Sequence, residues 1–240
     1  MIEYRMMNEG CVLTYCHHGG AIPLIEAKEP EAHSAWIEKK NDIPKGSVAR
    51  FLKAMCQEYG SCGVMAIDGD QVIGKLRFYP AQLGDSRLPT CVQGNPKALV
   101  AFEPTSLPPQ ESLDSRAMSI HCIQVVKDGG YRGQGIGTTM VRKLIDWASG
   151  TGWDEIRAPA IRHIPPLLDW CGSFSIDVYK RLGFVETGSA PHPELVEGVR
   201  NMRAGHHGED VKEQWQPFAH LSDEEAAMMY DVVFRLPEVP

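Results

Sequence analysis

One stretch limits what this chain can fold into more than any other. An apolar run at 120–126 leads into the glycine-rich turn Arg132-Gly133-Gln134-Gly135-Ile136-Gly137-Thr138, and an amphipathic run at 138–148 leads out of it. Apart from His121 and Gln124 the first run is apolar on both faces, which suits a central strand. In the second, Met140, Val141, Leu144, Trp147 and Ala148 recur at helical spacing. Glycines are thereby set at a helix start, where backbone N–H groups lack intrahelical partners and a partial positive charge gathers. Such a turn suits a phosphate, and Arg132 adds a full charge with a planar donor fork.

The neighbouring elements follow from local patterns. Ser47 is a plausible N-cap for a helix carrying Val48, Phe51, Leu52, Met55 and Tyr59 on one stripe, and Gly60 would end it. Residues 63–67 and 71–79 read as two strands, joined at Asp68-Gly69-Asp70 as a hairpin. Residues 155–161 read as the strand after the glycine-turn helix, parallel to the run at 120–126 through that crossover. A helix at 175–182, a strand at 184–188 and a last strand at 231–236 complete the core. Gly150 or Gly152 would stop the glycine-turn helix, and Ser222-Asp223-Glu224-Glu225 has capping-box spacing.

Other segments are less regular. Residues 2–7 or 11–15 could form a first strand, and the charged run 26–40 could hold a surface helix. Residues 80–118 are a proline-rich insertion, with one extra strand expected at 98–102. A second, polar insertion spans 190–222 and holds His206-His207. Loops this long in a compact domain are usually functional or mobile. The reading is a single domain over 1–240. Its core covers about 47–190 plus the final strand, and residues 1–45 are an extension or a first strand.

Composition narrows the classes. Seven cysteines, an odd number scattered without a dense framework, fit free thiols in a reducing compartment. No apolar run approaches the roughly 18 residues of a membrane helix, and the first residues lack a signal peptide's basic and apolar regions. The expectation is a cytoplasmic protein with no membrane partner. A formal charge of −7 argues against a general nucleic-acid binder and is mildly compatible with a cationic substrate.

The glycine turn has three readings. It could be a structural bend. It could be a dinucleotide fingerprint, for which Asp154 and Glu155 stand near the right distance. Against that, residues 127–131 separate the strand from the motif, and no second βαβ half follows. The third reading adds Tyr179-Lys180-Arg181-Leu182-Gly183-Phe184, of the form Y-x-x-x-G-F, at a helix-to-strand junction.

Together the two motifs resemble the GNAT superfamily, the acyl-CoA-dependent N-acetyltransferases. That family carries R/Q-x-x-G-x-G/A after its fourth strand, matched here by Arg132, Gly135 and Gly137. It carries Y-x-x-x-G-F across its fourth helix and sixth strand, matched by Tyr179, Gly183 and Phe184. The detailed resemblance covers about residues 119–188. Where the family often has a proline before the turn, this chain has Asp128-Gly129-Gly130 with one extra residue. The asparagine often found near the start of the fourth helix is absent, with Ser173 and Ser175 the nearest polar substitutes.

The resemblance implies an α/β fold: a GNAT-like mixed, twisted central sheet flanked by helices, with long insertions. It implies acetyl-CoA as co-substrate, its pyrophosphate on the backbone of Arg132, Gly133, Gln134, Gly135, Ile136, Gly137 and Thr138. It implies a pantetheine arm pairing like a strand with Ile123, Gln124 and Val125, where the fourth strand splays from the fifth. Tyr179 matches the family's general acid. A lysine-like amine costs roughly 4.6 kcal/mol to deprotonate at neutral pH, so a base is useful. His121 shares strand parity with Ile123 and Val125 and has a suitable intrinsic pKa. A hydrogen-bonded core histidine is the other reading of it, and Glu103 and Glu111 are rival bases.

The expected reaction is transfer of an acetyl group from acetyl-CoA to a primary amine by direct attack in a ternary complex. The acceptor is a small-molecule amine or a peptide or protein amine, and a homodimer is compatible with this. A non-catalytic acyl-CoA-binding regulatory module is the alternative, and a nucleotide-binding oxidoreductase the distant one. No metal is expected. Cys11, Cys16, His17 and His18, even with His206-His207, do not form a recognised zinc spacing. Trp170 and Cys171 could line an acceptor pocket.

Overall fold

The structure, a computed structural model, describes residues 1–240 apart from 15–19, 41–43, 84–106, 114, 128, 132 and 238–240. The expected extra strand at 98–102, Cys16, His17, His18, Glu103, Asp128 and Arg132 therefore lie outside the described residues.

The strands are β1 (Glu3–Met6), β2 (Ile22–Pro23), β3 (Gly63–Asp68), β4 (Gln71–Pro80), β5 (Ala117–Val125), β6 (Glu155–Ile161), β7 (Val185–Pro191) and β8 (Met228–Arg235). Among the described residues they form one mixed sheet in the order β1-β3-β4-β5-β6-β8-β7, with β2 on β4. All pairings are antiparallel except β5 with β6. A doubly wound dinucleotide fold needs a parallel sheet, so this topology removes the oxidoreductase reading.

The first strand is the earlier of the two candidates, at β1; Cys11 makes only an isolated bridge to Asn8. The charged run 26–40 is not one helix but three short ones, α1 (Leu24–Lys28), α2 (Pro30–His33) and α3 (Ala35–Lys40). Pro30 stands at the start of α2, where its missing N–H is harmless, so it divides the run.

Helix α4 (Ser47–Tyr59) buries the expected stripe and ends at Gly60 in a left-handed conformation. Its cap differs from expectation. Ser47 lies inside the helix and Gly46 is the N-cap, with no side-chain cap of its own. The buried carboxylate of Glu38 does the capping, accepting from Gly46 N at 2.7 Å and Val48 N at 3.1 Å. Pattern reading looks for a cap next to the helix; this one arrives from α3.

Helix α5 (Ile136–Ser149) packs against β1, β3, β4 and β5 and buries Met140, Val141, Leu144 and Ala148. Gly74 permits the close approach: a Cβ there would meet Met140 Cε at 3.2 Å and Ile136 Cγ2 at 3.3 Å.

After β6 come α6 (Pro165–Cys171) and α7 (Ile176–Arg181). The second insertion is largely helical, with α8 (Pro193–Arg203) and α9 (Glu209–Gln214), and α10 (Asp223–Ala226) follows it. Leu167, Leu195, Val199, Met202 and Trp215 join Ile161 and Met229 in a second apolar cluster beside the main core. Ser222 forms the expected capping box with Glu225, at 3.0 Å and 2.7 Å.

Hydrogen bonds to a buried charged acceptor contribute about 1.5–3 kcal/mol each. Glu38→Ala should therefore destabilise the protein by about 3 kcal/mol in urea unfolding; a change below about 0.5 kcal/mol would show that the cap is dispensable.

Candidate active site

Strands β5 and β6 pair over only three residues, Ala117 to Ser119 against Glu155 to Arg157. Beyond that the two strands part, leaving an opening beside Ile123 and Val125. The chain's own segment 172–175 enters this opening. Ile123 N donates to Gly172 O at 2.8 Å, and Ile161 N donates to Phe174 O at 3.2 Å. Ser173 Oγ donates to Pro159 O at 2.7 Å.

At the C-terminal end of β5 the turn is built from left-handed glycines. Gly129, Gly130, Gly133 and Gly135 have φ of 77°, 74°, 77° and 73°. A Cβ at Gly130, Gly133 or Gly135 would meet nothing within 4 Å, so the glycines serve conformation and leave an open concavity. Gly135 is the N-cap of α5, and Thr139 N returns to its carbonyl at 2.9 Å. The N–H groups of Ile136, Gly137 and Thr138 thus have no acceptor within the helix. Tyr131 pins the turn to the β3–β4 hairpin by donating from its hydroxyl to Asp68 at 2.9 Å.

A groove of about 390 Å³ joins the two features. Its floor is Ile123 and Val125, and one wall is Gly133, Gly135, Ile136, Gly137 and Thr138. The other lining comes from α6, from 173–175 and from the start of α7, through Asp169, Phe174 and Val178 among others. The structure thus gathers most of the expected donor-site residues in one place. Gln124 and Gln134 do not line the groove; Gln134 instead donates to Gly130 O at 2.8 Å, inside the turn. An open anion cradle at a helix start, continuous with an extended slot, fits a long molecule with a phosphate at one end.

Tyr179 is fully buried on α7, with its ring 5.7 Å from Phe174 and 4.9 Å from Phe184. It does not line the groove; Phe174 does. Burial pushes its phenol well above the ordinary tyrosine range, opposed by a hydrogen bond with Ser173. It is a neutral donor throughout the physiological range.

His121 sits at a β-bulge. Arg77 faces Cys122 and Phe78 faces Ile120, leaving His121 as the extra residue. The alternation that would put it on the face of Ile123 and Val125 is interrupted there. Its half-buried ring lies 5.5 Å from that of Tyr79, outside the groove lining.

The remaining candidates separate. Glu111 is exposed in a 3-10 turn. Cys171 is buried, and burial pushes its thiol up, away from reactivity. Trp170 and His207, 6.4 Å apart, line a second cavity of about 460 Å³. Among the described residues no group of three histidine, cysteine or acidic side chains could hold a metal, and no helix is long and apolar enough to cross a membrane. Several groove residues escaped pattern reading, among them Tyr131, although it stands beside the motif, and His163, Asp169 and Phe174, for which no motif exists.

The acetyltransferase (GNAT) family profile matches residues 30–184, more than half of the chain. The protein belongs to this family. Acetyl transfer is accordingly its general chemistry. No curated protein sequence matches it. Among solved structures it is similar to a GNAT-family acetyltransferase from Streptococcus pneumoniae, at 11% identity and TM-score 0.48, covering 99% of this chain and 100% of that one. It is similar to Arabidopsis thaliana NAA60 in complex with acetyl-CoA, at 13% identity and TM-score 0.44, covering 98% and 100%. It is also similar to the ribosomal-protein-S18-alanine N-acetyltransferase of Escherichia coli, at 12% identity and TM-score 0.43, covering 92% and 96%.

Burial of Tyr179 has a consequence for pH. The folded protein keeps a phenolic proton that the unfolded chain releases near pH 10, so stability is full below that pH and falls as pH rises through it. Between about pH 9 and 11 the urea midpoint should fall, and Tyr179→Phe should lessen the fall. An identical slope in the variant would show that the phenol titrates normally.

Proposed function

We propose that this protein is an N-acetyltransferase that moves an acetyl group from acetyl-CoA to a primary amine by direct attack in a ternary complex. The observation that carries this reading is the continuity of the left-handed glycine turn with the slot beside Ile123 and Val125. A phosphate cradle alone would serve many ligands. A cradle opening onto an extended strand edge suits a pyrophosphate that carries a peptide-like arm.

The N–H groups from Gly133 to Thr138 hold the pyrophosphate, with Arg132 supplying charge. Each hydrogen bond to a charged oxygen contributes about 1.5–3 kcal/mol, so a few suffice for useful affinity. The backbone of Ile123, Gln124 and Val125 orients the arm. The thioester supplies an activated carbonyl and a thiolate leaving group. Tyr179 donates a hydrogen bond to the sulfur as charge develops; its raised pKa keeps the proton on the phenol, so it stabilises the departing thiolate by hydrogen bonding and not by proton transfer. His121, on β5 at the bulge outside the groove lining, is the base that takes the proton from the acceptor's ammonium, so that the neutral amine attacks the thioester carbonyl. The acceptor is a small amine or a peptide or protein amine.

A second reading is a non-catalytic acyl-CoA-binding module. It is favoured by the burial of Tyr179 behind Phe174, outside the groove. Thiol release from acetyl-CoA with a panel of amines separates the two: turnover supports the enzyme, and tight CoA binding without turnover on any acceptor supports the module.

Gly135→Val tests the cradle. The substitution puts a β-branched side chain at φ 73° and into the open concavity. CoA affinity should drop at least tenfold by calorimetry, while Gly150→Ala, at the far end of α5, should leave it unchanged. Equal affinity in the two variants would place the pyrophosphate elsewhere.

A further inference from the structure

We infer that residues 172–175 are an internal occupant of the slot between β5 and β6, and that the pantetheine arm of a donor enters only when they leave. This rests on the acyl-CoA reading of the groove.

The segment behaves as a short false strand bridging the gap. On one side Gly172 O accepts from Ile123 N at 2.8 Å, on the strand stretch assigned to the arm. On the other, Ile161 N donates to Phe174 O at 3.2 Å and Ile161 pairs with Ser175 as a parallel bridge. Ser173 Oγ latches the segment to Pro159 O at 2.7 Å. Phe174 lays its ring against the start of α5; a Cβ on Gly137 would stand 2.5 Å from its Cζ. The same ring covers Tyr179. One set of residues thus occupies the backbone donor, narrows the groove and shields the buried phenol.

Two features make release cheap. Gly172 is left-handed, with φ 59°, at the end of α6, and α7 begins only at Ile176, so the segment lies between two helix ends. The Ser175 hydroxyl is buried without a partner among the described residues, a cost carried by the closed arrangement. The Ile123 N–H that the segment gives up is one that a carbonyl of an incoming arm can take. With 172–175 in place, β5 and β6 do not present bare edges across the gap.

A latch that the arm has to displace weakens binding. Ser173→Ala and Phe174→Ala should therefore bind CoA more tightly than wild type, by about fivefold for the lost latch. Without ligand both should melt earlier than wild type. In stopped flow the wild-type binding rate should level off with rising CoA at the opening rate, and both variants should raise that plateau. CoA binding that is equal or weaker in both variants, with a rate linear in CoA, would overturn the gate and leave the donor reading standing. Absence of CoA binding by wild type and both variants would overturn the donor reading, and the gate with it.

Discussion

The parting of β5 from β6 after three residue pairs is the constraint on which the rest of this structure depends. A parallel pair that ends inside a sheet leaves backbone donors and acceptors facing each other across a gap too wide to bond. An unpaired buried N–H costs about 1–3 kcal/mol, so something extended has to lie in the gap. The protein meets that demand with 172–175, through Ile123, Ile161 and Pro159. The proposed chemistry uses the same demand: a wedge of unsatisfied backbone is a template for any peptide-like arm.

Around this wedge the fold places two supports. Helix α5 starts beside the open end of β5, and its approach to the sheet rests on Gly74 having no side chain. The glycine turn before it is shaped by left-handed backbone and pinned at Tyr131 to the hairpin turn at Asp68. Helix α7 carries Tyr179 into the core, where its ring packs against Phe174 and Phe184. A pre-shaped cradle thus sits at one end of the slot and a protonated phenol behind its wall.

Much of this was legible along the chain, and the limit has a physical cause. Helix α4, the hairpin of β3 and β4, β6 and the capping box at Ser222 rest on local periodicity and turn chemistry, which short windows carry. The cap of α4 was misread because Glu38 reaches it from another element. His121 was assigned a face by alternation, and a bulge opposite Arg77 and Phe78 breaks alternation without any local mark. Helices α8 and α9 were read as polar insertion because such short helices owe their stability to packing, here against Ile161 and Met229.

The sequence by itself determined the strand–glycine turn–helix unit, the paired Tyr179 and Gly183-Phe184 motif, and hence the family. These depend on residue types at fixed spacing: only glycines tolerate the left-handed turn, and helical or strand periodicity survives in any context. Only the tertiary structure decided that β5 and β6 separate after Ser119, that 172–175 fills the gap, and that Tyr179 lies behind Phe174 rather than in the groove. The bond from Ile123 to Gly172 joins segments some fifty residues apart in the chain, and no local pattern encodes which backbone carbonyl a distant strand edge will find.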